Sequence, residues 1–131
     1  DLGHIDAEGF LRITGRKKNV IISAFGRNVS PEWVEAELMA EPGVLQAVVF
    51  GDARPFNCAV IVAQDRAAAE RAVASANTRL PDYAQARCFV LADAPFTRER
   101  GEMTPTGKPQ RAAIYAHYQS LIEAQYERNV A

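Results

Sequence analysis

Lys108 ends the run Gly101-Glu102-Met103-Thr104-Pro105-Thr106-Gly107-Lys108. Pro105 and Gly107 fix the backbone locally, so this ammonium is delivered on a defined turn. The chemistry open to it is electrostatic, because a compact cation can stabilise charge that develops in a transition state. Its ordinary role on such a loop is plain solvation. The second concentration of chemistry is Thr14 to Pro31. It opens with the basic cluster Arg16, Lys17 and Lys18, runs through Val20, Ile21 and Ile22, and turns at Phe25-Gly26-Arg27-Asn28. A basic triplet beside a strand is usually a solvated face or a protected sheet edge. Gly26 reads as a turn glycine with positive φ. So many structural signals in eighteen residues suggest a joint between moving parts.

Other reactive side chains are sparse. Cys58 and Cys88 each sit in an apolar, strand-like run, and they read as two buried reduced thiols, although a disulfide between neighbouring strands is conceivable. His4 and His117 are isolated, and no Cys/His spacing suggests a metal site. The chain has no nucleophile–base pair and no Gly-rich phosphate loop of the kinase kind. Its net charge of −1 provides no global positive field for nucleic acid. The longest apolar run, Cys58 to Ala63, has six residues, far short of the roughly 20 needed to span a bilayer. A start at Asp1-Leu2-Gly3, with neither Met nor a basic leader, reads as a fragment without a signal peptide.

The elements that must carry these residues follow from periodicity. Phe10 to Thr14 alternates like a half-buried strand, and Val20 to Ser23 reads as a second; together they form a two-stranded β-ribbon. Ser30 is a good N-cap and Pro31 a good first helical residue for a helix to Ala40, with Val34 and Leu38 on its apolar face. Val44 to Phe50 and Cys58 to Ala63 are buried strands joined closely enough to pair antiparallel. Asp65 caps a helix from Arg66 to about Ala76, and Arg87 to Leu91 is a third strand. Ala92 to Gly107 reads as a long surface loop that delivers Lys108. The last helix, about Gln110 to Glu127, places Ile114, Tyr118, Leu121 and Ile122 on one side. Trp33, Phe50 and Tyr118 read as core. At 131 residues, with 48% apolar and 24% charged residues, the chain suits one modest globular core. The pattern predicts an α+β fold with a small, mainly antiparallel sheet of about three strands flanked by helices, preceded by the ribbon.

Three ordered stretches carry a family resemblance: Asp1-Leu2-Gly3-His4-Ile5-Asp6, Thr14 to Pro31, and Gly101 to Lys108. Together they resemble the small C-terminal domain of the adenylate-forming (AMP-binding) enzymes, with the last piece of the large domain in front. Phe25-Gly26-Arg27-Asn28-Val29-Ser30-Pro31 and Gly101-Glu102-Met103-Thr104-Pro105-Thr106 are most similar to the long-chain acyl-CoA synthetase branch. Gly107 and Pro109 depart from the bulkier residues common around the family's lysine.

The resemblance implies roles residue by residue. Lys108 stands at the catalytic lysine that bridges the substrate carboxylate and the α-phosphate while acyl-AMP forms. Arg16 stands at the arginine that contacts the ribose, and Lys18 at the hinge about which the small domain swings. Asp1 resembles the aspartate that accepts both ribose hydroxyls, a task suited to a carboxylate's two acceptor oxygens. Gly26 stands where a loop approaches the pantetheine arm of coenzyme A, and Arg27 flanks that loop. By the same resemblance, residues 1–17 are the edge of the large adenylation domain and 18–131 the small mobile domain. The implied enzyme is a cytoplasmic acid–thiol ligase. It uses ATP, Mg2+ and coenzyme A, its substrate is a fatty acid, and its partner is the missing large domain. The fragment alone is expected to be inactive and to bind none of these cofactors. The alternatives are an acyl-AMP ligase, an adenylation domain that loads a carrier protein, and a small α+β binding module without catalysis.

Overall fold

The structure, a computed structural model, describes residues 20–129. The expected strand from Phe10 to Thr14, together with Asp1, Arg16 and Lys18, lies outside the described residues. Two short strands, β1 (Ile21–Ile22) and β2 (Asn28–Val29), pair antiparallel as a ribbon. Helix α1 (Pro31–Met39), strand β3 (Val44–Phe50) and strand β4 (Asn57–Ala63) follow. Helix α2 (Arg66–Asn77) then leads through a 3-10 turn at Asp82–Ala84 to β5 (Ala86–Leu91), and α3 (Arg111–Asn129) closes the order.

The α+β class is the one the sequence predicts. The three-stranded sheet runs β3-β4-β5 and is mixed, since β3 and β4 pair antiparallel while β5 joins β4 in parallel. The crossover through α2 returns the chain to the end of the sheet from which β4 started, which a short connection could not do. β4 lies in the middle and is buried on both faces, so Cys58 to Ala63 is apolar without alternation. Ala59 and Ile61 meet Val34 and Leu38 of α1 and Ala69, Ala72 and Ala76 of α2. Cys58, Val60 and Val62 face Ile114, Tyr118, Ile122 and Tyr126 of α3. The result is three layers, with the sheet between α1/α2 and α3.

Two core assignments change. Trp33 is 39% exposed, because the buried stripe of α1 runs Pro31, Val34, Glu35 and Leu38, the i, i+3, i+4, i+7 positions, and Trp33 falls off it. Leu121 is likewise exposed, since the α3 stripe steps by four through Ile114, Tyr118, Ile122 and Tyr126. The Ser30 cap also differs: it occupies the N-cap position, but its hydroxyl bonds Glu32 at 3.2 Å and makes no cap bond. Asp65 does cap α2, accepting from the Ala68 N–H at 2.8 Å. Cys58 and Cys88 are free, buried and opposite one another on β4 and β5. Hydrogen bonding with the neighbouring Cys88 thiol, together with burial, pushes the Cys58 thiol far above its usual range.

The alanine face of α2 lets that helix lie close to the chain that enters β3. Gly43 sits at φ +86°, and a Cβ there would stand 2.8 Å from the Ala68 Cβ. Both the left-handed backbone and the helix contact therefore oppose a side chain. Gly43→Ala is expected to lower stability by roughly 1–3 kcal/mol. Urea denaturation of the variant against the parent measures this, and equal midpoints would contradict it.

Candidate functional site

The segment from Ala92 to Gly107 is more ordered than a plain surface loop. The Gln46 side chain grips it from β3, accepting from the Phe96 N–H at 2.8 Å and donating to the Phe96 carbonyl at 3.3 Å. Phe96 is buried against α3 and the sheet. Beyond it the chain forms a small hairpin. Met103 and Pro109 make an antiparallel bridge, and Thr104 N–H donates to the Lys108 carbonyl at 2.7 Å. Gly107 N–H donates to the Thr104 carbonyl at 2.9 Å, with Gly107 at φ +86°. Pro105 to Gly107 is thus a three-residue hairpin loop whose last residue is left-handed, a position suited to glycine. The Thr104 hydroxyl accepts the Lys108 N–H at 3.0 Å and lies 3.1 Å from the Thr106 hydroxyl, so the two threonines brace the turn. Lys108 itself is exposed, and its ammonium makes no ion pair with any described residue.

Both legs of the hairpin are tied to buried carboxylates that the sequence does not single out. On the outgoing leg, Arg111 donates to Glu35 through both terminal nitrogens, at 2.6 and 2.8 Å. Glu35 is only 4% exposed, and its Oε2 also accepts the Val49 N–H at 2.8 Å. Burial raises the pKa of this carboxyl, against the opposing pull of the Arg111 bond and charge and of the Val49 amide. One bidentate pair therefore joins the start of α3 to α1 and β3. On the incoming leg, Glu102 is completely buried, and its main chain bonds Thr97 at 3.0 Å and Gln110 at 2.8 Å.

An open cleft of about 680 Å³ lies between α1, β3 and this hairpin. Val48, Phe96 and Met103 contribute apolar lining, and Lys108 and Arg111, with Glu32 and Glu35, contribute charged lining. Such a cleft can present a positive point charge to an anion beside an apolar surface. Among the described residues there is no group of three His, Cys, Asp or Glu that could hold a metal ion. No helix among them is long and apolar enough to cross a membrane.

The glycine loop is a separate feature. Ser23 organises it, accepting the Phe25 and Arg27 N–H groups on its hydroxyl, both at 3.2 Å. Gly26 has φ +81°, as its turn requires, and the space around its α-carbon is open. Phe25 beside it is 76% exposed. The Arg27 guanidinium stacks over the Tyr83 ring at 4.0 Å. Neither Gly26 nor Arg27 lines the Lys108 cleft, so the structure keeps these two candidate regions apart.

Comparison with known proteins agrees with the fold. A family model described as the AMP-binding enzyme C-terminal domain matches residues 18–130. The long-chain-fatty-acid–CoA ligase FadD15 of Mycobacterium tuberculosis is 36% identical, over 98% of this chain and 26% of its own length. Among solved structures, a Mycobacterium tuberculosis fatty acyl CoA synthetase is 30% identical with a TM-score of 0.64, over 91% of this chain and 23% of that one. The A-PCP didomain of a carboxylic acid reductase from Segniliparus rugosus, solved with AMP, is 26% identical with a TM-score of 0.75, over 90% of this chain and 18% of that one. The chain spans about a quarter of the length of the curated relatives it matches first. With most of its residues covered by the family model, and a relative above 30% identity along almost its whole length, the chain belongs to the AMP-binding enzyme C-terminal domain family.

Proposed function

We propose that this chain is the mobile C-terminal part of an ATP-dependent fatty acid–CoA ligase, with Lys108 as its catalytic group. The observation that carries the reading is the braced hairpin, which presents at a partly apolar cleft an ammonium with no ion pair to any described residue. In this reading residues 1–17 belong to the edge of the large adenylation domain, and 18–131 form the small domain that moves against it. Asp1 and Arg16 hold the ribose, and Lys18 is the hinge.

The fatty acid carboxylate and the ATP α-phosphate are both anions, and Lys108 bridges them as negative charge shifts onto the phosphoryl oxygens. A point charge held by a rigid turn needs no reorganisation at that moment. Pyrophosphate leaves and acyl-AMP forms. The small domain then swings about Lys18, withdraws Lys108 and brings the Gly26 loop towards the pantetheine arm of coenzyme A, with Arg27 beside it. The open space around Gly26 suits the close approach of a slender chain. The thiol attacks the acyl carbonyl and AMP departs. Closing the domain keeps water from the mixed anhydride. Mg2+ would accompany ATP; the described residues offer no cluster for it, and no step here passes through it. In this reading the enzyme is cytoplasmic, where ATP and coenzyme A are both at hand.

A second reading has support from the likeness to an A-PCP didomain, in which the thiol acceptor would be a carrier protein. The two separate in one assay of the full-length protein with MgATP and a long-chain fatty acid. Acyl-CoA formed from free coenzyme A supports the ligase. Acyl-AMP that passes only to a carrier thiol supports the second reading, and no acyl-AMP with any acid would remove both.

The hinge has its own test. Lys18→Pro fixes φ near about −65° and should trap one domain orientation. In the full-length enzyme it is expected to spare one half-reaction and damage the other. Equal loss of both with the fold intact by circular dichroism would leave Lys18 without a hinge role.

A further inference from the structure

We propose that Glu102 and His117 form a positioning device for Lys108, holding the incoming leg of its hairpin against α3; this rests on the catalytic reading of Lys108 given above. Glu102 is fully buried, six residues before Lys108 and directly before the Met103–Pro109 bridge. Its Oε2 lies 2.7 Å from His117 Nδ1 on α3. With Glu102 ionised, its carboxylate accepts and the imidazole presents its Nδ1–H. The other oxygen, Oε1, is also buried and makes no hydrogen bond; the nearest cation is the Arg100 Nε at 3.5 Å. Arg100 is itself drawn outward to Asp93 at 3.4 Å, and Asp93 also accepts from the Tyr118 hydroxyl at 2.7 Å. One side-chain hydrogen bond, with the longer Arg100 ion pair beside it, thus holds this carboxylate inside.

The consequence follows from the cost of a buried carboxylate left without a hydrogen bond. Without the His117 donor, Glu102 keeps only the 3.5 Å ion pair with Arg100 and has no side-chain hydrogen bond to any described residue, a state that drives a buried carboxylate towards water. Glu102 cannot move outward alone, because its carbonyl holds the Gln110 N–H and its N–H holds the Thr97 carbonyl. Moving it shifts both strands of the hairpin and displaces the Lys108 ammonium from its line between two anions. Catalysis by a fixed charge is sensitive to such displacement. His117 touches neither the cleft nor the turn, so its effect reaches the reaction only through Glu102.

The test uses the full-length enzyme and reads each half-reaction separately. Acid-dependent pyrophosphate exchange reports adenylation, and thioester release from preformed acyl-AMP reports the second step. His117→Leu removes the donor at a side chain 40% exposed, where folding should tolerate it. It is expected to lower kcat for adenylation about tenfold, with KM for ATP and acid nearly unchanged and the second step intact. His117→Asn places an amide N–H near the position of Nδ1 and should restore the rate to within about threefold of the parent. Lys108→Ala is measured beside them. If Lys108→Ala suppresses adenylation while His117→Leu and Glu102→Gln leave it normal, the positioning role is overturned and the catalytic reading stands. If His117→Leu damages both steps equally, or Asn fails to rescue, His117 only supports the fold and the proposal fails. Normal adenylation in Lys108→Ala would instead remove the catalytic reading itself.

Discussion

Lys108→Ala in the full-length enzyme should suppress carboxylate-dependent pyrophosphate exchange by on the order of 10²–10³, the usual effect of removing one preorganised charge from a closed site. The domain should stay folded, because the side chain is exposed and the turn is braced by Thr104, Thr106 and the backbone of Gly107. Supplied with preformed acyl-AMP, the variant should release thioester at close to the normal rate, since the proposed mechanism withdraws Lys108 before that step. Arginine is expected to rescue poorly: its planar fork suits one carboxylate face-on better than a gap between two anions. Normal exchange in Lys108→Ala would reduce Lys108 to a solvated lysine on a well-built turn.

Glu35→Ala should be the most damaging single change to stability among the charged residues. It leaves the Arg111 guanidinium and the Val49 N–H without their shared acceptor, in a place where Glu35 is almost wholly buried. Removing one partner of a buried pair typically costs about 3–5 kcal/mol. A domain of this size has a total on the order of 5–15 kcal/mol, so much of the margin would go. Urea denaturation of the 131-residue chain measures the loss, and a change below about 1 kcal/mol would show the pair to be dispensable. Glu35 also gives stability a pH dependence of known sign. Its folded-state pKa is raised from 4.5, chiefly by burial, so the folded chain holds the proton more tightly than the unfolded one. The stability linked to this group is therefore complete below the unfolded value and is lost as pH rises through the folded one. Glu35→Gln should remove that component of the pH profile.

The backbone plan was legible where one signal dominated. Asp65 before an alanine-rich run gave α2 and its cap, and two apolar runs around a short turn gave the β3–β4 hairpin. Direction was not legible: apolar character marks β5 as a strand, but its parallel pairing depends on the crossover that precedes it. Trp33 and Leu121 were misplaced because a large apolar side chain outweighs its neighbours in a short window, while burial follows the four-residue ridge. The ribbon strand β2 is two residues long and carries no periodic signal.

At the candidate site, Lys108 stood out by its turn chemistry and its motif, and the structure adds how that turn is held. Glu35 and Glu102 did not stand out. A glutamate in the first turns of a helix or in a polar loop looks the same whether solvated or buried. What distinguishes them is a partner distant in sequence, Arg111 for Glu35 and His117 for Glu102. The apolar stripe of α1 held the one available clue, since Glu35 occupies a core-facing position between Val34 and Leu38.

The two-legged anchoring of the hairpin has a kinetic corollary. A loop bonded at one end to α1 and β3 and at the other to α3 does not sample conformations by itself on the nanosecond scale of free loops. In the proposed mechanism Lys108 is instead geared to the whole small domain, and it would arrive or depart only when that body turns, on the microsecond-to-millisecond scale of domain motion. On that mechanism commitment to adenylation would be set by the frequency of one large rotation, and turnover should be slowed by viscosity or crowding without any change at the reacting atoms.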